Sequence, residues 1–189
     1  MRVLRVCVPA VLLGCGGAAT AGTPPAVAVL VGAGDIASCS SDGDEATARL
    51  LDAVPGTVFT TGDNAYSSGT ATEFTDCYGP GWGRHRSRTR PAAGNHDYRT
   101  PGAAGYFGYF GAAAGDSTRG YYGYNLGDWH VVVLNSNIEM RAGSAQEQWL
   151  RADLARGARR CTLAYWHHPR FSSGTKHGSH QGKIGRAHV

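Results

Sequence analysis

Lysine is almost missing from this 189-residue chain: Lys176 and Lys183 stand beside 16 arginines, and acidic residues number only 14. A net charge of +4 carried almost wholly by arginine reads as GC-rich coding rather than as a surface for nucleic acid, so no nucleic-acid-binding module is expected. Charged residues make up 17% of the chain, below the roughly 25% of ordinary soluble domains. No apolar run approaches the roughly 18 residues that a membrane-spanning helix needs. Also missing is a Gly-x-Ser-x-Gly elbow, which removes the usual serine-hydrolase pattern, and neither an internal repeat nor an interdomain linker is found. What is plentiful is glycine, 28 residues, about twice average usage, so loops should outnumber long helices. Hydrophobic residues at 42% exclude disorder and leave one packed domain.

The two ends read differently from the middle. Arg2 and Arg5 precede the apolar run Val6 to Leu13, and small residues follow to Ala21, the order of a secretory signal peptide over residues 1–21. Leu12-Leu13-Gly14-Cys15 also resembles a bacterial lipobox, in which Cys15 would carry a lipid anchor. Both readings put the mature protein outside the cytoplasm, secreted or lipid-anchored at a bacterial cell surface. At the other end, residues 184–189 are the translation of ATC GGA AGA GCA CAC GTC, a sequence of a common sequencing-library adapter. The expectation is a C-terminally truncated gene fragment whose folded domain spans residues 26–183. Cys7 and Cys15 fall in the leader, leaving Cys39, Cys77 and Cys161. Cys39 and Cys77 lie in Gly/Ser-rich loops, where an oxidising compartment favours a disulfide, whereas Cys161 opens an apolar run and is expected as a buried free thiol.

Along the mature chain, residues 26–34 form an almost continuous apolar run, expected as a strand buried on both faces that delivers Asp35 at its end. Residues 44–54 read as a helix, with Thr47, Leu50, Leu51 and Val54 on one face. Residues 57–61 form a second, β-branched strand ending in Gly62-Asp63. Residues 66–91 are expected to be mostly loop before Gly94-Asn95-His96-Asp97, and residues 102–124 loop and hairpin. A strand over 129–134, a helix over 144–156 opened by a Ser144/Glu147 capping box, and a strand over 162–166 ending in His167-His168-Pro169 complete the pattern. Four strand ends therefore carry Asp35, Asp63, Asn95 with His96, and His167.

Carboxylate, amide and imidazole together suit hard or borderline cations, and a bridging carboxylate can hold two ions roughly 3.5–4 Å apart for displacement at phosphorus. On Gly34-Asp35, Gly62-Asp63-Asn64-Ala65-Tyr66, Gly94-Asn95-His96-Asp97 and His167-His168-Pro169, the chain resembles the calcineurin-like metallophosphoesterases. The likeness is greatest to their secreted branch, related to purple acid and alkaline phosphatases. The resemblance implies an α/β fold, a four-layer αββα sandwich of two mixed sheets packed face to face and flanked by helices, with its C-terminal part missing. It implies two metal ions (Fe, Zn, Mn or Ca) at the C-terminal strand ends and hydrolysis of a small-molecule phosphoester by a metal-activated hydroxide. Asp35 matches the ligand of the first metal, Asp63 the bridging carboxylate, and Asn95 and His167 the ligands of the second. Tyr66 matches the tyrosine that binds ferric iron in purple acid phosphatases; a packed loop aromatic is its other reading. His96 matches the histidine that contacts the phosphate and protonates the leaving oxygen, and Asp97 the residue that orients it. His168 is expected to support the site without binding metal.

Two departures stand out. Ala37 replaces the histidine usual two residues after the first aspartate, and no Gly-His-x-His follows His167; His177, His180 and His188 do not replace it by spacing. Weak or no activity is therefore expected of the chain as given. The rival from another class is a secreted relic that keeps the fold as a binding protein without metals. Gly32-Ala33-Gly34-Asp35-Ile36-Ala37 also fits a dinucleotide fingerprint, but the helix that should follow at once starts too late to hold a pyrophosphate. The alternating Arg84, Arg86, Arg88 and Arg90 read as solvated charge in preference to a phosphate-binding stripe.

Overall fold

A computed structural model describes residues 27–157, 159–171 and 173. The leader with Cys15, the termini of the expected 26–183 domain, His177, His180, His188 and the 184–189 segment lie outside the described residues. In chain order come β1 (Leu30–Ala33), β2 (Ala37–Ser38), α1 (Gly43–Asp52), β3 (Thr57–Thr61), β4 (Ala65–Tyr66) and α2 (Ala71–Glu73). There follow a π-helical turn Phe74–Tyr78, a 3-10 segment Trp82–Arg88, β5 (Thr89–Ala92), 3-10 turns Asp97–Arg99 and Pro101–Ala103, α3 (Ala104–Phe110) and a turn Gly111–Ala114. The last elements are β6 (Tyr122–Leu126), β7 (Trp129–Val133), α4 (Ala145–Arg156) and β8 (Cys161–Tyr165). Among the described residues no helix is long and apolar enough to cross a membrane.

Among the described residues this is an α/β arrangement built on two three-stranded sheets. The first, in the order β1-β3-β5, is wholly parallel, not mixed as the resemblance implied; the second joins the antiparallel hairpin β6-β7 to a parallel β8. A two-residue parallel ladder, β2-β4, continues the course of β1 and β3 beyond their ends. The two sheets share a core in which Ala92, Val131, Val133 and Tyr165 are buried and Phe59, Tyr122, Tyr124 and Leu163 pack around them. Tyrosine hydroxyls tie the sheets as well: Tyr165 donates to the Arg90 carbonyl at 2.8 Å and Tyr122 to the Pro91 carbonyl at 2.7 Å. Helix α4 covers the other face of the second sheet, where Trp149 packs on Tyr121 and Asp153 meets His130.

Several expectations need correction. β1 is half-buried, not enclosed on both faces, because among the described residues it pairs only with β3 and forms the sheet edge. Cys161 is exposed: it shares a face with Leu163 and Tyr165 but opens the strand beyond the core, opposite the exposed Trp129. Residues 66–91 are largely short helical turns, and 104–110 is a helix despite its glycines. Long-range packing decides both, since Phe74, Tyr78, Tyr109 and Phe110 form one ring cluster with centroids 5.1–5.8 Å apart, each such pair adding about 0.5–1.5 kcal/mol. A disulfide between Cys39 and Cys77 anchors the same turns, as the loop chemistry of the two cysteines anticipated.

The arginine run is not a stripe, because its segment is helical and sends successive side chains in different directions. Arg88 donates to the Leu51, Val54 and Gly56 carbonyls at 2.7–2.9 Å and so closes the C-terminal end of α1. Arg84 pairs with Glu45 and Asp52, and Arg86 and Arg90 lie over the Tyr109 and Tyr124 rings.

Candidate metal centre

Parallel register brings the three motif loops together. Ala33 pairs with Thr60 and Thr61 with Ala92, so β1, β3 and β5 finish side by side and Asp35, Asp63 and Asn95 emerge at one end of the sheet. Backbone bonds from Asp35 to Gly62 and from Ile36 to Asp63, both 3.0 Å, hold the first two loops in step. Asp35 and Asp63 adopt the left-handed backbone region, with φ of 56° and 51°. That conformation disfavours residues other than glycine and concentrates at functional sites. Close approach does the rest: a Cβ on Gly94 would lie 2.1 Å from the Asp63 nitrogen, and one on Gly62 would lie 2.7 Å from His167 Nδ1. Only glycine at these two positions lets the loops touch.

Five of the expected site residues form one connected polar group. The Tyr66 hydroxyl lies 2.5 Å from Asp35 Oδ1 and 3.0 Å from Asp63 Oδ2, so one phenol proton is shared between two carboxylates. Burial first, then the Asp35 hydrogen bond and the nearby carboxylate charges, raise the Tyr66 phenol well above its ordinary range. His167, just after β8, has Nδ1 2.9 Å from the Thr61 carbonyl. A carbonyl can only accept, so Nδ1 carries the hydrogen and Nε2 points inward, 3.0 Å from Asn95 Oδ1 and 3.5 Å from Asp63 Oδ1.

His96 joins the group from the side. Its backbone N–H donates to Asp63 Oδ1 at 2.8 Å, its Nε2 lies 3.9 Å from Asp63 Oδ2, and its ring packs against Tyr66 with centroids 4.6 Å apart. The group that orients its ring is not Asp97 but the Ser67 carbonyl, 2.6 Å from Nδ1. Asp97 turns inward instead. It is fully buried and accepts from the Gly94 N–H at 2.8 Å and from the Asn64 side chain at 2.9 Å, which binds the second motif loop to the third. Burial pushes its carboxyl up to about 6 against the opposing effect of these donors. His168 stands behind His167, ring against ring, with Nδ1 2.8 Å from Ser136 Oγ. Ala37 is wholly buried in the core beside Ala65, so no donor enters from that position.

Sequence reasoning missed Asn64, Ser67 and Glu73. Asn64 lay inside a quoted motif, and its buried amide donates to the Ala92 carbonyl at 2.9 Å as well as to Asp97. Glu73 carried a visible signal, Thr70-x-x-Glu73, which forms a complete capping box at the start of α2. The expected box at α4 is only half formed, since Glu147 receives the Gly143 N–H and the Ser144 N–H goes to Arg141.

The donor set tests what the centre could hold. Carboxylate, phenol, amide and imidazole donors suit a hard or borderline cation. Asn95 Oδ1 and Asp63 Oδ1 lie 3.0 and 3.5 Å from His167 Nε2, so a cation among the three would meet a lone pair from each. Among the described residues no three His, Cys, Asp or Glu side chains form a metal-holding group by themselves, so a cation here would draw on Tyr66 and Asn95 too. On this chemistry the residues fit.

No family model matches the chain. Over 67 residues it is 39% identical to purple acid phosphatase 15 of Arabidopsis thaliana, a stretch that is 34% of this chain and 13% of that protein. The structure of purple acid phosphatase PPD1 from yellow lupin (Lupinus luteus) seeds superposes with a TM-score of 0.57 at 18% identity, over 86% of this chain and 35% of the lupin chain. Both are purple acid phosphatases. This chain shares the lupin protein's fold and spans a minor part of either relative's length.

Proposed function

We propose that this chain carries the metal-dependent phosphoester-hydrolysing centre of a secreted purple-acid-phosphatase-like protein. The observation that carries the reading is the meeting of Asp35, Asp63, Tyr66, Asn95 and His167 at neighbouring strand ends: Tyr66 hydrogen-bonds Asp35 and Asp63 at 2.5 and 3.0 Å, and His167 Nε2 lies 3.0 Å from Asn95 Oδ1 and 3.5 Å from Asp63 Oδ1. Asp35 and Tyr66 would hold a first ion, Asn95 and His167 a second, and Asp63 both. Bound cations would supply positive charge to the phosphoryl oxygens and an activated water-derived nucleophile. The chain's own residues then bind and steer the ester: His96, its Nδ1–H fixed on Ser67, presents Nε2 to the leaving oxygen, and in the doubly protonated ring that nitrogen gives its proton to the oxygen. Asp97 keeps the loops bearing Asp63 and Asn95 in contact through Asn64 and Gly94.

The same reading takes residues 26–183 as a domain of the four-layer class behind a leader over residues 1–21. The Cys39–Cys77 disulfide supports a place outside the cytoplasm, free or held by lipid at Cys15. Fe, Zn, Mn and Ca remain the candidate ions.

Because no Gly-His-x-His follows His167, cation binding is a better first readout than turnover. Calorimetric titration of the purified chain with Zn²⁺ or Mn²⁺ should show saturable binding that Asp63→Asn abolishes. Absence of any saturable binding would overturn the metal reading and favour the metal-free relic. Hydrolysis of an aryl phosphate by the same chain should be weak; turnover at ordinary enzyme rates would refute that part.

A further inference from the structure

We propose that Glu73 is a positioning residue for His96, acting through the peptide that joins Ser67 to Ser68. The inference rests on the reading of His96 as the proton donor of the site above. Glu73 lies outside the motif residues and touches none of the five candidate ligands in the contacts described. Its carboxylate nevertheless collects four donors: the Ser67 N–H at 2.6 Å, the Ser68 N–H at 3.1 Å, the Thr70 N–H at 2.9 Å and the Thr70 hydroxyl at 3.0 Å. A capping box needs only the Thr70 contacts; the bonds to Ser67 and Ser68 reach back into the loop that leaves β4.

The carbonyls of the same two residues are held from the other side. Ser67 O accepts from His96 Nδ1 at 2.6 Å and from Arg99 at 3.1 Å, while Ser68 O accepts from the Thr100 N–H and hydroxyl at 3.1 and 2.7 Å. Ser67 and Ser68 are thus clamped between one carboxylate and the segment that follows the Asn95-His96 motif. The Ser67 carbonyl sets which nitrogen of His96 carries hydrogen: with Nδ1–H donated to it, Nε2 is the nitrogen left for the site. The Ser67 carbonyl shares its peptide plane with the Ser68 N–H, so releasing that N–H from Glu73 frees the carbonyl to turn, and the ring loses its orientation and its tautomer together.

The test is the nitrogen NMR spectrum of the histidine rings, recorded on the chain without cation or substrate, with His96 assigned by its loss in His96→Asn. In the wild-type protein His96 should be the Nδ1–H tautomer. Glu73→Ala should lower the ratio of Nδ1–H to Nε2–H about fivefold, the factor that one ordinary hydrogen bond is worth. Glu73→Gln, which keeps the shape and one acceptor oxygen, should lie between. Ser144→Ala removes a helix cap on α4 and should leave His96 unchanged, which separates positioning from a general loss of stability. Unaltered His96 signals in folded Glu73→Gln and Glu73→Ala, or an equal change in Ser144→Ala, would overturn the proposal. The spectrum is independent of catalysis, so a shift in tautomer in a chain that binds no cation would sink the functional reading and leave the positioning role standing.

Discussion

The carbonyl of Thr61, last residue of β3, receives the Nδ1–H of His167 at 2.9 Å across a sequence separation of 106. A strand end on the first sheet thereby fixes the tautomer of a ring delivered by the second sheet and leaves Nε2 free as a donor beside Asp63 and Asn95. Replacing the ring should remove that nitrogen without disturbing either sheet core, since His167 follows β8. His167→Gln is expected to weaken Zn²⁺ or Mn²⁺ binding by at least about tenfold, the lower end of what even an outer partner of a metal ligand is worth. Titration calorimetry beside the wild-type chain measures it, and unchanged affinity would remove His167 from the ligand set.

Tyr66 gives an optical test. With its hydroxyl shared by Asp35 and Asp63 and its ionisation raised, the phenol stays protonated at ordinary pH when no cation is bound. Iron(III) held by the two aspartates should displace that proton and produce a visible phenolate-to-iron absorption band. Tyr66→Phe should keep iron at the site through the carboxylates and lose the band. A colourless iron-loaded wild-type protein counts against Tyr66 as a ligand.

The strand-end residues were legible because glycine followed by a polar residue interrupts a β-branched run, and parallel pairing then places such interruptions side by side. Asp35, Asp63 and Asn95 could be found that way, and His167 as the first of two histidines that end a strand. Which way a side chain turns was not legible: Asp97 adjoins His96 in sequence, yet its partner is Asn64, 33 residues away. The turns over residues 71–88 and helix α3 were missed for a related reason, since they are held by the Cys39–Cys77 bond and by aromatic packing between distant segments. The exposure of Cys161 depends on where the core between the sheets ends, at Leu163, a property of neighbours and not of the strand itself.

The disulfide should therefore matter most to the region that local propensity supports least. Closing a loop of 38 residues removes enough freedom from the unfolded chain to be worth about 4 kcal/mol. The double variant Cys39→Ser, Cys77→Ser should lose about 10 °C in melting temperature by scanning calorimetry. Proteolysis should then begin within residues 66–91. A melting temperature equal to that of the oxidised wild type would show that the aromatic cluster holds the turns unaided.

Glu73 should leave its mark on the pH dependence of stability. Burial pushes its carboxyl up, but the hydrogen bonds from Thr70, Ser67 and Ser68 together outweigh burial and leave it below its ordinary value of 4.5. A carboxyl lowered on folding stabilises the native state above its unfolded value, and that contribution is lost as pH falls through the folded one. Glu73→Gln has no such group, so it should be less stable than wild type by about 1–2 kcal/mol at neutral pH. The gap in urea midpoint should narrow once the pH drops below about 4.5, because only the wild-type protein then gives up a charge-assisted set of bonds. Midpoints measured from pH 7 to pH 3 decide it: converging curves support a charged Glu73 clamp on the Ser67-Ser68 loop, and parallel curves would show that the carboxylate contributes nothing its amide cannot.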